Sequence, residues 1–173
     1  GRKLKEKITI LIADDNQEFS KTLATYLGNE EDMEVVGIAK DGVEAVEQIK
    51  ELIPDVAILD VIMPHLDGIG VLERINNDNI VKTPICIMLS AVGQEKITQK
   101  AIDLGAQYYI VKPFEMNVLI KRIREIKTFQ PVGNKISFMS KEIRAPYIEI
   151  QQEKKNASEN LEALVTNIIH EVG

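Results

Sequence analysis

Four apolar runs in this chain each end in a polar group. Ile8-Thr9-Ile10-Leu11-Ile12-Ala13 leads to Asp14-Asp15, Val56-Ala57-Ile58-Leu59 to Asp60, Ile85-Cys86-Ile87-Met88-Leu89 to Ser90, and Tyr109-Ile110-Val111 to Lys112. If the runs are strands of an open parallel sheet, their carboxyl ends share one edge, where such folds place their sites. Three carboxylates, a hydroxyl and an ammonium then converge. Clustered carboxylates repel one another and raise each other's pKa unless a cation intervenes. Mg²⁺ takes oxygen ligands in octahedral geometry and keeps several waters. Asp15 and Asp60 suit direct ligation, with Asp14 close by. Asp60 can also attack a phosphoryl group and hold it as an acyl phosphate. Mg²⁺, or Ca²⁺ or Mn²⁺ in its place, and Lys112 would neutralise the charge, and the Ser90 hydroxyl would bond a phosphoryl oxygen. Pro113 restricts the backbone after Lys112 and so fixes its aim. Taken singly, the acidic pair would be a solvated turn, Ser90 a strand-end cap and Lys112 a surface charge; the combination is what carries the reading.

The elements that must position these groups alternate regularly. Phe19, Leu23, Tyr26 and Leu27 recur at helical spacing after the first strand, and Gly28-Asn29 closes that helix. Met33 to Ala39 is a second strand. Asp41 begins a capping box in which Glu44 reaches back, Ala45, Ile49 and Leu52 follow on one face, and Pro54 stops the helix. Asp67-Gly68 opens a third helix bearing Val71, Leu72 and Ile75. Ile97, Ala101 and Leu104 mark a fourth, ended by Gly105, and Met116, Leu119, Ile123 and Ile126 a fifth. Strands alternating with helices predict an α/β fold, a doubly wound, flavodoxin-like five-stranded parallel sheet of order 2-1-3-4-5. Short, nearly all-apolar strands agree, because parallel strands are buried on both faces.

Composition bounds the function classes. The chain has 173 residues, 45% of them hydrophobic and 28% charged, with a net charge of −6. Residues 1–128 carry 16 basic and 21 acidic side chains, and residues 129–173 carry 5 and 6. Neither part has the basic excess of a nucleic-acid surface. A single cysteine, Cys86, inside an apolar run, reads as an inert core thiol and fits a reducing cytoplasm. No run approaches the roughly 20 apolar residues of a membrane span, and no signal peptide is visible. A cytoplasmic, membrane-free protein is expected.

The whole constellation resembles the receiver domain of two-component response regulators. The match covers residues 7–128 and includes Asp14-Asp15, Asp60 with Met63-Pro64 and Asp67-Gly68, Ser90-Ala91, and Lys112-Pro113-Phe114. The resemblance implies that Asp60 accepts a phosphoryl group from a phosphohistidine of a histidine kinase or histidine phosphotransfer protein. It implies the Ile62 backbone carbonyl as a further Mg²⁺ ligand beside Asp14, Asp15 and Asp60. It places Ser90 and Tyr109 where phosphate is coupled to a surface rearrangement, and it implies a homodimer after phosphorylation. A narrower resemblance is to the receivers of the master transcription regulators of sporulation. On that likeness residues 129–159 are a linker, and residues 160–173, with Leu161, Leu164, Val165, Ile168, Ile169 and Val172 at helical spacing, are the first helix of a truncated DNA-binding effector domain. DNA binding would belong to the missing remainder of that domain.

Other readings fare worse. Phe138 to Pro146 resembles the phosphoacceptor box of sensor kinases, but Lys141 stands in place of the histidine, and chance similarity in a linker is the better account. His65 and His170 have no histidine neighbour and no expected metal role. A phosphatase of the haloacid-dehalogenase type would carry a second Asp two residues after the nucleophile, where this chain has Ile62, so turnover of a free substrate, and hence an enzyme, is not expected. Gly68-Ile69-Gly70 is not a dinucleotide fingerprint, since it does not directly follow a strand and no third Gly completes it. A stand-alone relay protein that passes the phosphoryl group to another histidine protein is the alternative.

Overall fold

In the computed structural model, residues 6–128 are described. The expectations for the linker, for Lys141, for His170 and for the helix at 160–173 lie outside those residues.

The five βα units form in the expected order. They are β1 (Ile8–Ala13), α1 (Gln17–Gly28), β2 (Met33–Ala39), α2 (Gly42–Leu52), β3 (Val56–Asp60), α3 (Gly68–Asn77), β4 (Ile85–Ala91), α4 (Glu95–Asp103), β5 (Tyr108–Lys112) and α5 (Met116–Thr128). All neighbouring strands are parallel and the sheet order is β2-β1-β3-β4-β5. The chain steps outward from β1 to β2, then reverses direction across the sheet. Right-handed crossovers therefore put α1 on one face and α2, α3 and α4 on the other. α5 returns to the side of α1, where Arg124 forks onto Asp32 at 2.8 and 3.0 Å and meets Glu30 at 3.5 Å.

The core lies in the three central strands. Ile10, Leu11, Ile12, Ile58, Leu59, Ile87, Met88 and Leu89 are fully buried, with Leu23, Leu27, Ile49, Val71, Leu119 and Ile123 covering them from the helices. Burial of side chains this size contributes about 1.5–3 kcal/mol each. Helix starts follow the polar residues: Asn16, Asp41 and Asp67 accept from the amides of Phe19, Glu44 and Gly70 at 3.1, 2.9 and 2.8 Å. α4 ends in a Schellman motif, with Ala106 N donating to Ala101 O, Gly105 N to Ile102 O, and Gly105 at φ 108°.

Several local expectations differ from the structure; Leu52, spaced with Ala45 and Ile49, is 38% exposed where α2 ends. Tyr26 points to solvent at 53% exposure, because the stripe of α1 is completed by Ser20, Leu23 and Leu27. On α4 the buried positions are Thr98, Ala101 and Ile102, while Ile97 and Leu104 are half-buried. The stripe is rotated because this short helix lies at the side of the sheet near β4 and α3. At α2, Glu44 pairs with Lys40 at 3.6 Å, so the Asp41 half of the expected capping box carries the cap.

β2 is an edge strand with a bulge. Ile10 pairs with Val35 and Leu11 with Gly37, leaving Val36 as the extra residue. Gly37 sits where a Cβ would lie 2.3 Å from Gln48 Oε1. The Gln48 amide donates to Ile38 O at 3.1 Å, whereas the next carbonyl, of Ala39, is given to Asp14 N on the β1 side.

Candidate functional site

The carboxyl ends of β1, β3, β4 and β5 deliver the polar groups to one edge. Asp14 and Asp15 follow β1, Asp60 ends β3, Ser90 is the next-to-last residue of β4 and Lys112 ends β5. Ser90 pairs with Val111 across the β4–β5 ladder, and Asp60 with Leu89 across β3–β4. Register therefore sets the carboxylate, hydroxyl and ammonium along one edge of adjacent strands, each one residue further on than the last.

The carboxylates cluster tightly. One oxygen from each of Asp14, Asp15 and Asp60 lies within 4.8 Å of the others. Asp14 is buried, Asp60 half-buried and Asp15 exposed, so the group is open to solvent on the Asp15 side. Two of the three carboxylates are aimed by backbone: Asp14 Oδ1 accepts from Asn16 N at 2.9 Å, and Asp60 Oδ1 from Ile62 N at 3.1 Å. Lys112 Nζ lies between the two inner acids, 2.6 Å from Asp14 Oδ2 and 3.1 Å from Asp60 Oδ2. Burial, and then the facing Asp14 charge, push the Asp60 carboxyl up to about 6, against the pull of Lys112 and the Ile62 amide. Burial opposes the charge on Lys112, but hydrogen bonds to Asp14 and Asp60 outweigh it and raise its pKa.

The loop after Asp60 is held by close backbone approach. Leu66 N donates to Pro64 O at 2.7 Å across His65, whose φ is 67°. That is a γ-turn with a left-handed centre, a rare and strained conformation. Leu66 is seated against glycines. A Cβ on Gly42 would lie 2.0 Å from Leu66 O, and one on Gly70 would lie 2.3 Å from Leu66 Cδ1. Gly68 N donates to Val61 O at 2.9 Å, tying the start of α3 back to the end of β3. The loop thus presents Ile62 beside Asp60, with its side chain 47% exposed.

The remaining expected residues are also accounted for. Tyr109 is half-buried on β5; burial and then the charge of Glu95, at the start of α4, raise its pKa. His65 is exposed on the loop and is apart from the carboxylate group. Cys86 is fully buried, and burial pushes its thiol up to about 12, so it is inert. The Lys112-Pro113 peptide is cis. One contact was not legible as part of the site: the Phe19 ring, read from sequence as a helix-face position, lies under Lys112 Nζ at 4.3 Å and meets Phe114 edge-on at 6.2 Å. An aromatic four residues after the acidic pair was the available signal.

The profile of the response regulator receiver domain matches residues 10–124. This chain belongs to the response regulator receiver family. Among solved receivers, the response regulator domain of CheB from Thermotoga maritima is 34% identical, with a TM-score of 0.66 over 73% of this chain and 100% of that one. The signal receiver domain of NarL from Mycobacterium tuberculosis is 28% identical, also with a TM-score of 0.66, over 73% and 100%. A response regulator from Chloroflexus aurantiacus is 32% identical, with a TM-score of 0.60, over 70% and 98%. The flavodoxin-like receiver fold and the acidic group at its sheet edge are therefore shared with this family. Among the described residues of this receiver, no helix is long and apolar enough to cross a membrane.

Proposed function

We propose that this receiver is a phosphorylation switch in which Asp60 is the phosphoacceptor. The observation that carries the reading is the position of Lys112 Nζ between Asp14 and Asp60 at the ends of three strands. An oxygen-only donor set of three carboxylates fits a hard divalent cation such as Mg²⁺, with Asp14, Asp15, Asp60 and the Ile62 carbonyl as its protein ligands. Bound there, the cation supplies positive charge to the phosphoryl oxygens.

The phosphoryl donor is a phosphohistidine of a histidine kinase or phosphotransfer protein. An Asp60 oxygen attacks phosphorus, the O–P bond forms, the N–P bond breaks, and the departing imidazole keeps the electron pair and gains a proton. Positioning and charge neutralisation dominate such transfers. Lys112, with its charge held by two carboxylates, meets the phosphoryl oxygens, and Ser90 donates to one of them. Movement of Ser90 frees space for Tyr109 to turn inward from its place near Glu95, which rearranges the α4–β5–α5 surface and lets two copies pair. The chain turns over no free substrate.

A finer identity rests on resemblance: the motifs quoted above and Asn160 to Gly173 resemble the stage-zero sporulation protein A. On that resemblance the receiver controls a cytoplasmic transcription regulator of sporulation whose DNA contacts lie in the effector domain. A relay intermediate that passes phosphate to another histidine protein is the second reading; transfer from phosphorylated chain to a partner histidine would favour it.

The test is mass spectrometry after treatment with a small phosphoryl donor and Mg²⁺. One added phosphoryl group, mapped to Asp60, is expected. Labelling elsewhere, or equal labelling of Asp60→Asn, would overturn the assignment.

A further inference from the structure

Among the described residues the Lys112 ammonium meets Asp14, Asp60 and Phe19, and of these Phe19 is indifferent to a metal ion. Asp14 and Asp60 hold it at 2.6 and 3.1 Å, but these are the same carboxylates that form the oxygen cluster. A dication taking those oxygens competes with Lys112 for them and repels it. The third neighbour is the Phe19 ring, 4.3 Å from Nζ to the ring centroid. Its face attracts the ammonium through the ring quadrupole and offers no ligand atom to a metal. Phe19 is itself fixed. Its amide donates to the N-cap Asn16 at 3.1 Å, and the ring meets Phe114 at 6.2 Å with planes 87° apart. Phe114 follows Lys112 by two residues across Pro113, so one short segment supplies both the ammonium and the brace for the ring beneath it.

We infer that Phe19 is a positioning residue for Lys112, an aromatic seat that keeps the ammonium aimed across the site when the carboxylates are engaged by a divalent cation. The inference rests on Asp60 being the phosphoacceptor. A hydrogen-bonded seat would have served less well, since an oxygen there would itself bind the cation. An aliphatic residue of similar size would fill the space without attracting the charge.

The test compares wild type with Phe19→Leu, which keeps the apolar volume, and Phe19→Tyr, which keeps the ring face. Side-chain NMR of Lys112 is read first, without phosphodonor. In wild type the Lys112 ε-methylene protons lie upfield under the ring current, and they stay upfield when Mg²⁺ saturates the site. In Phe19→Leu the shift is absent. Phosphorylation by a small phosphoryl donor at saturating Mg²⁺ is then about 5-fold slower in Phe19→Leu, as expected for one cation–π contact, and is restored in Phe19→Tyr, with half-saturating Mg²⁺ the same in all three. Loss of the upfield shift when Mg²⁺ binds to wild type would overturn the inference. So would a Leu variant as fast as wild type, or a Tyr variant as slow as Leu. If wild type takes no phosphate on Asp60, the acceptor assignment fails, while the NMR still reports on the seat by itself.

Discussion

Lys112 lies nearer to Asp14, at 2.6 Å, than to Asp60, at 3.1 Å, although Asp60 is the residue it is proposed to serve. In the resting site the lysine is a counter-ion to the acidic cluster. Its removal opposes two readouts. Lys112→Met should bind Mg²⁺ more tightly, by about 3- to 10-fold, because a competing unit charge is gone, and should be phosphorylated far more slowly. Isothermal titration with Mg²⁺ and a labelling time course check the pair; a weaker Mg²⁺ affinity would show that the lysine does not compete.

Asp60 makes stability depend on pH. Its carboxyl rises from 3.8 to about 6 on folding, through burial first and the Asp14 charge second. The folded state therefore holds this proton more tightly than the unfolded state. Its stabilising contribution is full below about pH 4 and is lost as pH rises through about 6. Asp60→Asn has no such loss. In EDTA, its stability relative to wild type should grow between pH 4 and pH 7, by about 1–2 kcal/mol once solvent screening of this partly exposed group is allowed for, measured by urea unfolding. A pH-independent difference would refute the raised value.

Asp15 is the exposed member of the cluster and has little part in packing. Asp15→Ala should weaken Mg²⁺ binding by about 10-fold or more and suppress phosphorylation, with the fold retained by circular dichroism. Relief of carboxylate repulsion should leave the metal-free variant at least as stable as wild type.

Two exposed apolar side chains bear on how long a phosphoryl group survives. Ile62 and Val92 stand two residues beyond Asp60 and Ser90, at 47% and 65% exposure. Neither can hold a hydrolytic water by hydrogen bonding. Replacing them with Asn and Glu should speed loss of phosphate by about 10-fold, equivalent to ~1.4 kcal/mol of barrier. The wild-type acyl phosphate should last many minutes. Fast decay in wild type, or an unchanged rate in the double variant, would count against this role.

The glycines around Leu66 can be tested by contrast. Gly42→Ala would put a methyl 2.0 Å from Leu66 O, so a loss of about 2–4 kcal/mol is expected. Gly28, at the end of α1, has nothing within 4 Å of a Cβ, and Gly28→Ala should be neutral or stabilising by up to about 1 kcal/mol. Urea midpoints of the two variants decide it.

The fold was legible because strand burial and helix punctuation are local signals. Ile10 to Ala13 and Ile58 to Leu59 are apolar on both faces, and Asp41 and Asp67 mark the starts of α2 and α3. The acidic cluster was legible for a related reason: parallel strands carry their carboxyl ends to one edge of the sheet, so four runs with polar ends predict a shared site. What escaped depended on rotation and on contacts between distant segments. Tyr26 and Leu104 fit a helical spacing that does not reveal which flank of the stripe the sheet leaves uncovered. The Phe19–Lys112 contact joins α1 to β5 across 93 positions of sequence, and nothing within either segment announces it.

The treatment of β2 has a consequence for how copies of this chain can meet. An open sheet invites another strand to dock along its border, and repeated docking yields polymers rather than pairs. Here the Val36 bulge breaks the regular ladder, and the Gln48 amide already occupies the outward carbonyl of Ile38. An incoming strand would find its hydrogen-bonding template interrupted at the middle and filled at the end. Growth by strand addition is disfavoured on this border whatever the phosphorylation state.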